Sequence, residues 1–487
     1  MGLLPVVLFV VPFISALLVA LVGLAWRPAA RAIAVAGMAV TAALGVWSNV
    51  AVYQYGEIRS FMGGWAPPVG IELLLDPLSA FIAAVVGVVG LLMVIAGGPS
   101  VRRELPGREV FFDSVGLLLI SGLVGMTVTH DLFNMFVHLE VASLSAYALT
   151  AAGGRGAPRA ALRYLLIGSL GASLYLLGVG FVYAATGTLN MSDAAMRVSE
   201  ADPGLLGVAA VLIVVGLAVK MGLFPLHAWM PDAYSRAPGA AAALMAPLVT
   251  KVSAYALVRV LFWTFGASWL LDQAVLLELL AWAGAAAVVL GAVMALLQND
   301  LWRLLAYSSI SQMGIVALGI GLANDASLTG GILHIANDAL MKGAMFTAAA
   351  AIMLRFGVRR VDELWQVRNR APWLSAVVVI GGWSLVGLPP MCGFFGKWYV
   401  LTGAMQDQRW LLAAAVVVGS LATAAYVARL IEAMFFGRMP EAGRATPQRV
   451  SIPATAVSVV TAVGIIALGV GSAWVVNGII VPSLEAM

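Results

Sequence analysis

The sequence predicts an all-α polytopic membrane protein of about 14 transmembrane helices. Three observations carry this. Of 487 residues, 62% are hydrophobic and only 10% charged; the mean hydropathy is +1.00; and apolar stretches long enough to cross about 30 Å of hydrocarbon follow one another from Leu3 to Val475. Water cannot be the main solvent of such a chain. Transmembrane strands would alternate polar and apolar positions. These stretches are continuously apolar, so helices are needed to satisfy the backbone in lipid.

In chain order the expected spans cover 3–25, 31–52, 74–97, 111–129, 132–151, 161–185, 206–227, 238–262, 273–297, 302–322, 327–354, 373–403, 410–435 and 452–476. The first lacks a positive start and a small-residue cleavage site, so it is expected to be retained rather than removed as a signal. No soluble segment separates the spans. Residues 1–487 are therefore expected to form a single transmembrane domain, with 1–110 holding spans 1–3, 111–265 a first repeat, 270–437 a second and 438–487 the last span. Arginine crowds the connections after odd-numbered spans, while those after even-numbered spans hold only Arg59, Arg197 and Arg409. The positive-inside rule then makes the odd connections cytoplasmic and puts both termini on the other side of a bacterial-type cell membrane. The net charge of +4 reflects this topology, and the expected surroundings are lipid, not nucleic acid.

Two spans are interrupted. Gly222-Leu223-Phe224-Pro225 falls in span 7 and Gly387-Leu388-Pro389-Pro390 in span 12; proline removes a backbone donor and clashes with the preceding turn, so both helices should break. The breaks lie five spans apart. Five is odd, so spans 9–13 would repeat spans 4–8 upside down, the arrangement with which secondary transporters build a site near the membrane midplane. Lys220 lies five residues before Pro225 and Lys397 seven after Pro390. Simple kinking by proline is the plainer reading, and it leaves that paired placement unexplained.

The chain has four lysines, Lys220, Lys251, Lys342 and Lys397, and every one falls within a span. Placing such a charge in the bilayer costs roughly 2.5 kcal/mol or more. Arginine keeps its proton in that setting, whereas a desolvated lysine can release it, so the choice of lysine suits a proton relay. Glu140, in Phe136-Val137-His138-Leu139-Glu140-Val141, is the acid deep in span 5. It is expected to pair with Lys220, and Lys251, Lys342 and Lys397 to continue the line; a static ion pair is the alternative. In span 11, His334, Asn337, Asp338 and Lys342 stand at i, i+3, i+4 and i+8, one helical face, which adds His334 to the relay and Asp338 as an accessory group.

Other polar residues are weaker candidates. His138 projects to another side of span 5 than Glu140. His227 and Asp232 flank Trp229-Met230-Pro231 past the first break, where they line an entrance or cap a loop. Ser308, Ser309, Ser311 and Gln312 in span 10 either order water or hydrogen-bond neighbouring helices. His130 at a span end reads as interfacial, and Arg259 and Arg429 with Glu432 as snorkelling or locally paired groups. The single cysteine, Cys392, excludes an internal disulfide, a Cys₄ zinc site and a self-contained iron–sulfur cluster. No metal site and no cofactor of the chain's own is expected.

Two segments, Lys220-Met221-Gly222-Leu223-Phe224-Pro225-Leu226-His227-Ala228-Trp229-Met230-Pro231-Asp232-Ala233 and Leu304-Leu305-Ala306-Tyr307-Ser308-Ser309-Ile310-Ser311-Gln312, resemble the large antiporter-like subunits shared by complex I, energy-converting membrane hydrogenases and Mrp-type multisubunit cation/proton antiporters. The resemblance runs from about span 3 to span 13. It implies two inverted five-helix repeats (helices 4–8 and 9–13) with helices 7 and 12 broken. It also implies that the family's helix-5 glutamate is Glu140, its helix-7 lysine Lys220, its helix-8 lysine Lys251 and its helix-12 ionisable residue Lys397. Lysine at that last place looks like the D-type subunit of Mrp antiporters, or like the quinone-distal complex I subunit of similar size. Three positions depart from the pattern: Tyr234 and Asp338 stand where relatives often have histidine, and His138 where an aromatic is expected. By resemblance, then, the chain would carry protons in a hetero-oligomeric sodium (or other monovalent cation)/proton antiporter. The alternative it implies is the pumping subunit of an NADH:quinone oxidoreductase or membrane hydrogenase. A stand-alone solute transporter would need a roomy pocket at the breaks, and the lysine series argues against it.

Overall fold

The computed structural model describes residues 2–437 and 452–485. Among them, thirteen helices are long and apolar enough to cross a membrane. In order they are Leu4–Ala25, Arg27–Tyr55, Pro77–Glu104, Glu109–Val128, Leu132–Ala151, Ala157–Thr186, Pro203–Met221, Gly239–Phe265, Ala274–Leu296, Leu301–Leu322, Asp325–Phe356, Trp410–Phe435 and Ile452–Val470. Span 12 supplies the remaining crossing as two halves, Pro372–Val386 and Cys392–Gln406. The all-α membrane architecture expected from the sequence is therefore the one observed. Arg438, Arg444 and Arg449, counted in the charge bias, lie outside the described residues.

Local chemistry sets the helix starts. Asp76 accepts from Ser79 N at 2.8 Å while Ser79 Oγ accepts from Asp76 N at 2.8 Å, a reciprocal cap at the head of span 3. Asp131, Asp300 and Asn324 cap spans 5, 10 and 11 in the simpler way. Proline occupies the first turn of spans 3, 6 and 7 and of the first half of span 12, where a missing N–H costs nothing.

Small residues then let the helices close up, because apolar lipid gives no hydrophobic drive for helix pairing. A Cβ at Gly284 of span 9 would stand 2.5 Å from Leu318 N of span 10, so these two backbones touch. Spans 6 and 7 meet in the same way, where a Cβ at Gly216 would stand 2.6 Å from Gly171 O. Span 8 is enclosed on all sides and span 10 nearly so, while spans 1, 2, 6, 13 and 14 form the rim.

Three elements differ from expectation. Span 7 ends at Gly222, whose φ of 67° is the left-handed conformation that glycine takes without strain. Residues 223–229 are non-helical and a short helix, Met230–Arg236, follows, so the expected limit at residue 227 overshot. Span 8 has an interruption of its own at Ala246-Pro247-Leu248, between helices Gly239–Met245 and Val249–Val260; Pro247 explains it. The long 51–73 connection contributes strand Ile58–Phe61, paired antiparallel with Glu72–Leu75.

Connections sort onto two sides. On the odd side Arg163 and Arg303 meet Asp232 at 3.0 and 3.5 Å, and Arg359 meets Asp300 at 2.6 Å. On the even side Arg59 meets Glu72 at 2.8 Å and Arg197 meets Asp193 at 2.9 Å. His130 is not interfacial as expected: it is buried on the even side, its Nε2 2.7 Å from Ser192 Oγ. Arg259 does not snorkel; it is wholly enclosed and paired with Asp76.

Candidate functional site

Each lysine of the chain is buried and has found a different kind of partner. Lys220, in the last turn of span 7, donates to Glu140 Oε1 at 3.2 Å, Ser143 Oγ at 2.8 Å and Tyr147 Oη at 3.3 Å. Those three acceptors stand at i, i+3 and i+7 of span 5, one face of one helix. The break just beyond Lys220 is closed by Trp229, whose Nε1 donates to Val219 O at 2.9 Å and whose ring stacks on Tyr164 at 4.0 Å.

Lys251, in span 8, lies 2.6 Å from Asp338 Oδ2 of span 11. It also donates to Ala246 O at 2.9 Å and Thr250 Oγ1 at 3.2 Å. The Ala246 carbonyl is one that the Pro247 interruption frees. Asp338 has no exposed surface, and neither of its oxygens accepts a well-aligned hydrogen bond among the described residues. It therefore keeps capacity for further donors. One helical turn to either side on span 11 stand His334 and Lys342.

Lys342 donates to Ser308 Oγ of span 10 at 2.5 Å, and that hydroxyl also receives Tyr426 Oη of span 13 at 2.9 Å. His334 pairs through Nε2 with Gln312 Oε1 at 2.9 Å. Its ring packs directly on Gly396, where a Cβ would stand 2.6 Å from Nδ1. Lys397 is the next residue. Its ammonium donates to Leu385 O at 2.6 Å and Val386 O at 3.2 Å, the carbonyls left without helical partners by Pro389 and Pro390. Asp338 thus touches Lys251 directly and has Lys342 one turn away on span 11, while His334, one turn the other way, packs on the residue that precedes Lys397.

The remaining candidates lie apart from this line. His138 packs edge-on against Phe9 at 5.0 Å and makes no hydrogen bond among the described residues. Asp232 is held by two arginines at the odd surface, and His227 stacks on Phe224 beside it at the break. Ser311 donates to Val288 O at 2.8 Å, joining spans 9 and 10. Sequence reading missed Ser143, Tyr147, Tyr426 and the Lys251–Asp338 contact. The first two carried a usable signal, their spacing from Glu140; the last two depend on which helices become neighbours. Among the described residues no three His, Cys, Asp or Glu side chains gather into a metal-binding group.

Residues 129–423 match the family model described as NADH:quinone oxidoreductase/Mrp antiporter, transmembrane region. The chain belongs to this family. Among curated members, NADH-quinone oxidoreductase subunit N of Desulforudis audaxviator is 39% identical over 490 residues, 98% of this chain and 97% of that protein. The D-type subunit of the Na(+)/H(+) antiporter of Bacillus subtilis is 31% identical over 431 residues, 87% and 85% of the two chains. A chain in the solved membrane-bound sulfane sulfur reductase, an archaeal respiratory membrane complex, superposes with a TM-score of 0.88 at 32% identity, covering 97% of this chain and 95% of that one. The family thus joins antiporter and redox-complex members, and the sequence expectation of a D-type Mrp subunit is only one of its two branches. Members with these names are subunits, so this chain is a multi-pass membrane subunit that works among others.

Proposed function

We propose that the chain translocates protons across the membrane as one subunit of a multisubunit complex, through Glu140, Lys220, Lys251, His334, Lys342 and Lys397, with Asp338 as a working member. The observation that carries this is the contact of Lys220 with Glu140 at 3.2 Å inside the hydrophobic spans, followed by Asp338 among three further buried amines. A proton reaching Glu140 removes the carboxylate's charge and with it the main hold on Lys220. The released ammonium can pass its own proton towards Lys251, whose partner Asp338 then redistributes its attraction among Lys251, Lys342 and Lys397. Ser308 and Tyr426 give Lys342 a hydroxyl pair able to hand a proton on. The chain would carry protons with no cofactor of its own.

The sequence favours coupling to sodium or another monovalent cation, as in an antiporter. A redox-driven complex is the second reading, supported by the 39% identity to an NADH-quinone oxidoreductase subunit over nearly the whole chain. The arginine bias supports odd connections in the cytoplasm and both termini outside; protease protection of terminal tags in right-side-out vesicles tests that placement.

Everted vesicles holding the complete complex test the rest. Lys220→Ala or Glu140→Ala should abolish proton translocation while the complex still assembles, and full transport in both variants removes the relay. A sodium pulse that dissipates an imposed proton gradient supports the antiporter branch. Acidification on adding a reductant and quinone, with no response to sodium, supports the redox branch.

A further inference from the structure

A cleft of about 910 Å³ opens on the odd side where span 6 begins, lined by Arg155, Arg159, Arg163, Arg236 and Asp232 with Gly156, Pro158 and Ala160. Four guanidiniums face one carboxylate, and that carboxylate is already shared between Arg163 and Arg303. Arg155, Arg159 and Arg236 are exposed and have no partner among the described residues. Several other odd-side arginines are spent within the fold: Arg31 on Asp113, Arg359 on Asp300, Arg360 on Asp362, Arg368 on Phe435 O. The comparable cleft beside span 2 sets Glu109 and Asp113 against Arg27, Arg31 and Arg102, so it is close to balanced. The span-6 cleft carries a concentrated, unanswered positive charge.

Below the arginines the same face of span 6 turns apolar. Leu162, Leu166, Leu170 and Leu177 are all exposed and fall on one stripe by their spacing of four, four and seven. A cationic cleft that continues directly into an apolar stripe matches an amphiphile with an anionic head. Guanidinium forks suit phosphate oxygens better than any neutral head, and, with the odd side in the cytoplasm as proposed above, basic pockets on that side of helical membrane proteins take anionic lipid heads. The cleft's volume also suits a whole headgroup better than a lone inorganic anion.

We propose that this cleft binds the headgroup of an anionic phospholipid, with its acyl chains laid along the leucine stripe of span 6. The bound phosphate competes with Asp232 for Arg163 next to the span-7 break. The lipid therefore sits beside the odd-side mouth of the region that holds Lys220.

The test reconstitutes the assembled complex in phosphatidylcholine vesicles containing a minor fraction of phosphatidylglycerol, re-extracts it in detergent and weighs the lipid retained per complex by mass spectrometry. Wild type should hold phosphatidylglycerol in excess over its bulk fraction. The triple variant Arg155→Gln, Arg159→Gln, Arg236→Gln should retain at least tenfold less, at about fivefold per basic residue. The control Arg27→Gln, Arg102→Gln in the other cleft should behave as wild type. Should the triple variant not assemble, the lysine versions at the same three positions should assemble and retain more phosphatidylglycerol than phosphatidylcholine. Equal retention by wild type and the glutamine variant, or no enrichment in wild type, overturns the proposal. Displacement of the lipid by inorganic phosphate at matching concentration also overturns it, since the site would then take a soluble anion.

Discussion

The region around Glu140 and the region around Asp338 solve one problem in opposite ways. Glu140 serves one amine, Lys220, and its side chain keeps 25% of its surface open. Asp338 is fully enclosed, pairs with Lys251 at 2.6 Å and shares a face of span 11 with Lys342. The first is a pair that a single proton can open or close. In the second, one enclosed carboxylate holds Lys251 at 2.6 Å and has Lys342 one helical turn away, so displacing either amine changes what Asp338 offers the other. The difference teaches that the acid-to-amine ratio, more than the number of lysines, sets how local a protonation event stays.

Removing the shared acid should therefore hurt most. Asp338→Asn leaves enclosed amines without a carboxylate, and breaking a buried pair costs about 3–5 kcal/mol; a fall in thermal stability together with loss of proton translocation is expected. Glu140→Gln should lose translocation with a clearly smaller loss of stability, because its site is partly open. Equal destabilisation by the two variants would break the comparison.

Next comes Gly396→Ala. Its Cβ would fall 2.6 Å from His334 Nδ1, and overpacking of this kind costs about 1–3 kcal/mol. We expect transport to drop roughly tenfold in an assembled complex, and unchanged transport would remove His334 from the route. Tyr426→Phe deletes one hydroxyl on Ser308, worth about 1 kcal/mol, so a few-fold slowing is expected in the same vesicle assay.

The smallest effect belongs to His130, outside the spans. Burial pushes its pKa down to about 3, below the ordinary value near 6.5. The unfolded chain then binds the extra proton, so this residue costs stability as pH falls through 6.5 towards 3. His130→Asn should soften acid unfolding in that window and leave the pH profile of transport at neutral pH unchanged. A shifted transport profile would mean that His130 takes part.

Much of this was legible in the sequence, and the rest was hidden for definite reasons. Hydropathy runs mark the spans because lipid imposes one length and one polarity on every crossing. Pro225, Pro389 and Pro390 mark two breaks because each deletes a donor. Pro247 gives no such signal, since a single proline within an apolar run reads as a kink until Lys251 is seen taking the freed Ala246 carbonyl. The spacing of Ser143 and Tyr147 from Glu140 was readable. The meeting of Lys251 with Asp338 was not, because helical periodicity gives a face and says nothing about which helix that face will meet. The burial of His130 is hidden from the sequence because strand Glu72–Leu75 and the short helix Met191–Arg197 cover it, and neither follows from hydropathy.

The two helix breaks are fastened by unlike means. In span 7 an indole stacked on Tyr164 bolts the loosened backbone in place whatever the charge state around it. In span 12 the free carbonyls of Leu385 and Val386 hang on the ammonium of Lys397, so giving up its proton weakens that hold. Under the proposed relay span 12 would then be a latch worked by the proton itself, and amide exchange across 387–394 should quicken whenever Lys397 is uncharged; equal exchange in Lys397→Arg and Lys397→Met proteins would show that the latch does not feel charge.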